Sequence, residues 1–153
     1  MAADLAIRNV IGLYGLAADC GDIDTALACH CKDAVYVVSS PRAGRDGDAE
    51  DLHLIGHQAI RDMLSSDMHQ SLLPKCAHTV GPLVVKVDGD SAEVLGYSRV
   101  YNKIDDKPVL MRLAFNKWDM RFDGSWKIAR RESRVLGEEN AQEMLKASVG
   151  AFV

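Results

Sequence analysis

Three turn signals punctuate the second half of the chain, and they constrain its fold more than any other feature. Asp88-Gly89-Asp90, the stretch 103–108 and Asp123-Gly124 separate four runs rich in β-branched and aromatic residues, at 76–87, 92–101, 109–120 and 126–135. Strands joined by such short turns lie antiparallel, because a parallel neighbour needs a long crossover. The first run contains Gly81-Pro82 and is expected to bend there, since proline cannot donate to a sheet ladder.

The first half has a different period. Ile7, Val10, Ile11, Tyr14 and Ala18 recur at steps of three and four, which predicts one apolar helix stripe. Asp4 is a candidate N-cap, and Gly21 stands where a helix-ending glycine is expected. A second short helix follows, capped by Asp22 or Asp24, with Ala26, Leu27 and His30 facing inward. Residues 34–38 (AVYVV) read as a strand. Residues 39–53 are polar and rich in Gly, Asp and Arg, and read as a loop long enough to serve as a lid or entrance. Residues 58–64 fit a third helix, 67–75 read as irregular with a break at Pro74, and 138–151 fit a terminal helix. Helices first and a strand meander after them is an α+β order. The whole chain, 1–153, reads as one domain, and a strongly curved meander closed by the helices leaves a hollow suited to a small apolar ligand.

Composition narrows the function classes. A net charge of -4 gives phosphate backbones nothing to bind, so nucleic acid is excluded as a partner. No apolar run reaches the length of a membrane span. The N-terminus lacks the basic-then-apolar order of a signal peptide. The four cysteines, Cys20, Cys29, Cys31 and Cys76, therefore read as free thiols in a cytoplasmic protein.

Asp19 with His78 is the leading chemical pair. Asp19 ends the first helix and His78 begins the first long strand, so a helix lying across the concave face brings the two side chains together. A carboxylate bonded to one imidazole nitrogen fixes the tautomer and leaves the other nitrogen as a general base. The plainer use of these residues is a helix-end Asp and a half-buried structural His. Cys29-His30-Cys31 has the composition of a metal cluster, but alternate residues of a helix point apart, so no metal is expected there. His53 and His57 flank the third helix, where they either line an entrance or are solvated. Met63, Leu64 and Met68 read as core or cavity wall. Phosphate loops, dinucleotide fingerprints and nucleophile elbows are absent from the sequence.

The segment AIRNVIGLYGLAADCGDIDTALACHCKDAVYVV resembles the opening of SnoaL-like proteins of the nuclear transport factor 2-like superfamily, with Tyr14, Asp19, Gly21-Asp22 and Asp33 at the motif positions. HTVGPLVVKVDGDSAEVLGYSRVY is similar to that family's histidine-led strand and hairpin, and DGSWKIARR to its closing strand. The resemblance implies a cone-shaped α+β barrel, with a curved antiparallel sheet and N-terminal helices closing a cavity. In this superfamily scytalone dehydratase, hexachlorocyclohexane dehydrochlorinase and bile-acid 7α-dehydratase use an Asp-His dyad, and Asp19 and His78 match its positions. Tyr14 and Arg131 look similar to a pocket tyrosine and a pocket arginine. Tyr14 also fits the apolar stripe as core, and Arg131 stands beside Arg130 on a strand. His30 departs from the family, where Phe is usual.

The expected function is a lyase of dehydratase type, or an isomerase, that needs no cofactor or metal. Asp19, His78, Arg131 and Tyr14 would act on a hydrophobic cyclic molecule. The competing readings are a non-catalytic ligand-binding or oligomerisation domain, and a small subunit like the β-subunit of ring-hydroxylating oxygenases. Large apolar residues fall on both faces of the run 109–120. Met111, Leu113 and Phe115 share one face, Ala114 and Trp118 the other, which predicts a homo-oligomer; the resemblance to the dehydratases implies a trimer, and other relatives imply a dimer.

Overall fold

The structure, a computed structural model, describes residues 2–39 and 51–153. Among the described residues, five helices and six strands follow in the order α1 (Ala2–Cys20), α2 (Ile23–Ala28), β1 (His30–Val38), β2 (Leu52–Ile55), α3 (Gly56–Ser65), α4 (Asp67–Leu72), β3 (Cys76–Asp88), β4 (Ser91–Ile104), β5 (Lys107–Phe122), β6 (Trp126–Val135) and α5 (Glu139–Phe152). The strands form one curved mixed sheet in the order β2-β1-β6-β5-β4-β3. It does not close, because β2 and β3 are its edges.

The four-strand meander is present and antiparallel, as the turn signals predict. Its ladder slips between Val80 and Leu83, beside Pro82, which is the expected bend. β1 departs from the antiparallel expectation. It runs parallel to β6, with Tyr36 opposite Arg131 and Val38 opposite Ser133. A strand from the start of the chain thereby meets one from its end, a long-range pairing with no turn to announce it.

The helices cover the concave face, and α1 packs on β3. Its buried stripe is Ile7, Ile11, Tyr14, Gly15, Ala17 and Ala18, with Val10 at the margin of the core. Gly21, at φ +76°, ends this helix as expected. Asp4 is no cap. The helix begins before it, and Asp4 instead pairs with Arg8 at 2.9 Å. Asp22 caps α2 by accepting from the Thr25 amide at 3.0 Å.

Two short elements differ from the sequence reading. Residues 67–75, expected to be irregular, contain α4, capped by Ser66, whose hydroxyl accepts from the His69 amide. His30, assigned to the second helix, instead opens β1. The polar stretch 39–53 lies mostly in residues 40–50, outside the described residues; its last part enters β2, paired with β1. On the other side of the sheet α5 packs against β5 and β6 with Ala141 buried, covering part of the outer face.

Candidate active site

The helix stripe that builds the core also sets the site. Gly15 lies against the backbone of β3. A Cβ on it would stand 2.9 Å from the His78 carbonyl oxygen, so only glycine allows this approach. One turn further along α1, Asp19 reaches the same residue twice. The His78 backbone N–H donates to Asp19 Oδ2 at 2.8 Å, and His78 Nδ1 lies 2.6 Å from Asp19 Oδ1. The carboxylate accepts both bonds, so the proton sits on Nδ1 and Nε2 keeps its lone pair. Both side chains are largely shielded, at 26% exposure for His78 and 16% for Asp19.

His78 lines a cavity of about 300 Å³ between the helices and the concave sheet face. Its wall is mostly apolar, with Ile11, Tyr36, Val38, Met63, Leu72 and Val80 contributing. Tyr14 and Arg131 line the same cavity. Arg131 is 7% exposed, whereas its neighbour Arg130 faces out beside Glu132. Alternation along β6 makes that distinction. The Arg131 guanidinium lies 4.8 Å from the Tyr36 ring, 5.4 Å from Trp118 and 5.8 Å from Tyr14, within cation–π range of all three. Its Nε donates to Asn116 Oδ1 at 2.9 Å, and Asn116 Nδ2 donates to Ser98 Oγ at 2.7 Å. Burial, reinforced by Tyr36 and opposed by Arg131, pushes the Tyr14 hydroxyl well above its usual range, so it stays protonated and can donate.

Several cavity residues carry no signal in the sequence. His69 lies on α4, buried, with Nε2–H donating to the Ala18 carbonyl at 3.0 Å and its ring 6.0 Å from that of His78. Arg112 lines the cavity two strands from His78. Its side chain lies 3.4 Å from the Ser39 and Ser133 hydroxyls. Burial lowers its pKa and Arg131 adds to the lowering, while Tyr36 and Glu138 counteract it. A period-2 pattern places both arginines on the inner face only once strand register is known.

Other sequence candidates lie elsewhere. His30 is buried under Tyr14, with the two rings edge to face at 4.8 Å, and does not line the cavity. His53 is exposed on β2, and His57 bonds the His30 carbonyl at 3.1 Å. Met63 and Met68 form cavity wall, while Leu64 is core.

Among the described residues, the donors gathered closely enough to hold a metal are Asp19, Cys76 and His78, within 4.8 Å of one another. They are already engaged. Burial, with Asp19 adding to it, pushes the Cys76 thiol up to about 11, so it is a thiol and not a thiolate ligand. Nδ1 of His78 is spent on Asp19. An ion would have to break that bond and deprotonate the thiol, so the donor set suits a hydrogen-bonded cluster better than a metal. Cys29, His30 and Cys31 are not brought together as ligands. The four cysteines are free thiols.

A model of the SnoaL-like domain matches residues 1–132. Among solved structures, an NTF2-like protein with a cystatin-like fold from Novosphingobium aromaticivorans is similar, with TM-score 0.81 and 29% identity over 94% of this chain and 89% of that one. A protein from the same organism, assigned as the beta subunit of an aromatic-ring-hydroxylating dioxygenase, gives TM-score 0.69 at 16% identity over 88% and 89%. A protein of unknown function from Nostoc punctiforme gives 0.70 at 18% over 88% and 92%. The last two likenesses bear on the fold alone. No curated protein matches the sequence.

Proposed function

The chain belongs to the SnoaL-like family, and from that premise we propose that it is a cofactor-independent lyase of dehydratase type, or an isomerase, acting on a hydrophobic cyclic substrate. The observation that carries this reading is the double hydrogen bond of Asp19 to His78 at the wall of an apolar cavity. A scaffold or assembly subunit has no use for an imidazole whose tautomer is fixed and whose second nitrogen is left free.

In the proposed reaction, His78 Nε2 takes a proton from a carbon next to an activating carbonyl. The electron pair moves toward that carbonyl, and the charge on its oxygen is met by the Tyr14 hydroxyl and Arg131. In a dehydratase the pair then returns to expel a β-hydroxyl as water. In an isomerase the proton is redelivered to another carbon. Asp19 stabilises the imidazolium formed in the first step. The base, its orienting carboxylate and the charge-stabilising groups are all side chains of this chain.

Self-association belongs to the same proposal. Tyr97, Val109, Leu110 and Met111 stay exposed on β4 and β5 although α5 covers part of the outer face. Among the described residues no helix is long and apolar enough to cross a membrane, and four free thiols fit a reducing, cytoplasmic setting. The test is turnover of a panel of cyclic β-hydroxy-carbonyl compounds by wild type, His78→Ala and Asp19→Asn. His78→Ala should remove activity and keep the fold. Asp19→Asn should cost on the order of 10⁴ in rate, as the same change does to the carboxylate that orients the histidine of a Ser-His-Asp triad. A substrate turned over equally by all three proteins would make the dyad structural.

A further inference from the structure

The arginines of this chain divide into two groups. Among the described residues, Arg8, Arg61, Arg121, Arg130 and Arg134 each pair with a carboxylate. The three without a carboxylate partner are Arg99, Arg112 and Arg131, and these are the three that line the cavity. No Asp or Glu is among the cavity's described lining. Arg99 spends Nη1 on the Gly81 carbonyl at 3.0 Å. Arg131 serves the reacting oxygen in the proposed function, which leaves Arg112, whose hydrogen-bond partners are neutral and whose nearby Glu138 forms no ion pair with it.

A cation taken out of water needs an opposite charge, or its desolvation is uncompensated. Three aromatic rings and the Asn116 carbonyl partly offset the charge of Arg131, but they leave its terminal N–H groups without an anion. Trp118 adds a second sign. Its side chain is fully buried and lines the cavity, yet its Nε1–H has no hydrogen-bond partner. A buried donor left over beside the Arg131 guanidinium, in a cavity that Arg112 also lines, describes a site built to receive oxygen acceptors.

We infer that the substrate carries a carboxylate, bound by Arg112 away from His78, while Arg131 keeps its place at the reacting oxygen. This deepens the proposed function, since it rests on the cavity being the active site. The register sets the spacing. His78 lies opposite Val100, and Val100 opposite Arg112, so base and anchor share one face with a single strand between them. Two inter-strand steps put their backbones about 10 Å apart. The acid group is therefore remote from the carbon that loses its proton, and it orients the ring system without taking part in the bond changes.

The experiment is calorimetric titration of the full chain with 2-naphthoate and with its neutral amide, 2-naphthamide, at pH 8. The acid should bind at least about tenfold more tightly than the amide, the gain expected of charge-assisted hydrogen bonds. Arg112→Gln should cut that ratio severalfold, and Arg112→Lys should keep part of it. Circular dichroism checks the fold of each variant, and the wild-type ratio needs no variant at all. Equal affinity for the two compounds, or no measurable binding of the acid, overturns the inference. So does a ratio that survives Arg112→Gln, whether or not it falls in Arg99→Gln or Arg131→Gln. The ratio is read without turnover, so an inactive dyad leaves it untouched, and a ratio near one leaves the dyad reading standing.

Discussion

His30 offers a stability prediction whose size can be worked out. It is 2% exposed, and its Nδ1–H donates to the Ala26 carbonyl at 2.8 Å. Its Nε2 is buried without a partner. Burial, with Arg131 and His57 adding to it and the Ala26 bond opposing it, brings its pKa down from 6.5 to about 4. The folded state therefore holds it neutral, while the unfolded chain protonates it near 6.5. Between those values the unfolded state binds more protons, so stability falls as pH drops from about 6.5 to about 4. The full difference is about 3 kcal/mol below pH 4, and about 2 kcal/mol of it is lost by pH 5. His30→Phe removes the titrating group, keeps an edge contact with Tyr14 and relieves the unpaired Nε2. Losing the Ala26 bond costs about 1 kcal/mol, comparable to the relief, so the two proteins should be similar in stability at pH 8. Urea unfolding of both at pH 8 and pH 5 is the assay. The variant should be the more stable protein at pH 5 by about 2 kcal/mol with an unchanged m-value. Parallel loss of stability in the two proteins would refute the assignment of a neutral, buried His30.

Gly15→Ala tests the contact that seats the dyad. The added methyl meets the His78 carbonyl, so unfolding should cost about 1–3 kcal/mol less than in wild type, offset by up to about 1 kcal/mol of helix propensity. Turnover of any substrate found should fall more steeply than stability, and an unchanged rate would show that Asp19 and His78 tolerate a shifted helix. Sedimentation velocity at micromolar concentration should show a dimer or trimer, and Met111→Lys with Tyr97→Lys should shift it toward monomer; a wild-type monomer would remove the assembly proposal.

The fold was legible where the signal is local. Asp-Gly turns and β-rich runs marked the meander, and a period of 3.6 marked α1, because these patterns sit within a dozen residues of one another. What escaped was non-local or short. α4 is six residues long, too short for a period to show, and only Ser66 marks its start. The β1–β6 pair joins strands about a hundred residues apart in parallel, and no turn announces such a partner. His30 was assigned to a helix because Ala26 and Leu27 precede it at helical spacing. The chain instead leaves α2 at Cys29, and His30 becomes the first residue of a strand that its side chain helps bury.

The site divides along the same line. Asp19 and His78 were singled out as a pair because each stands at an element boundary, and the family resemblance, which matches both to dyad positions, carried the pairing beyond what those boundaries alone support. Gly15 was the unread part of that signal. Gly15 marks the close approach and stands one turn before Asp19, but Gly12 in the same helix meets nothing, so a glycine alone does not single out the contact. Arg112 and His69 could not be read in the same way. On β5 the inner face is set by a register in which Met111 is an extra residue between Leu110 and Arg112, whereas the slip at Asp119/Met120 puts its extra residue, Ala129, on β6. Counting by twos from Trp118 reaches Arg112 only if the strand is regular between them, and both slips lie outside that span. Arg112 and Trp118 therefore share the cavity face as a consequence of where the bulges fall. That placement, and not the residue types alone, gives the cavity its positive end.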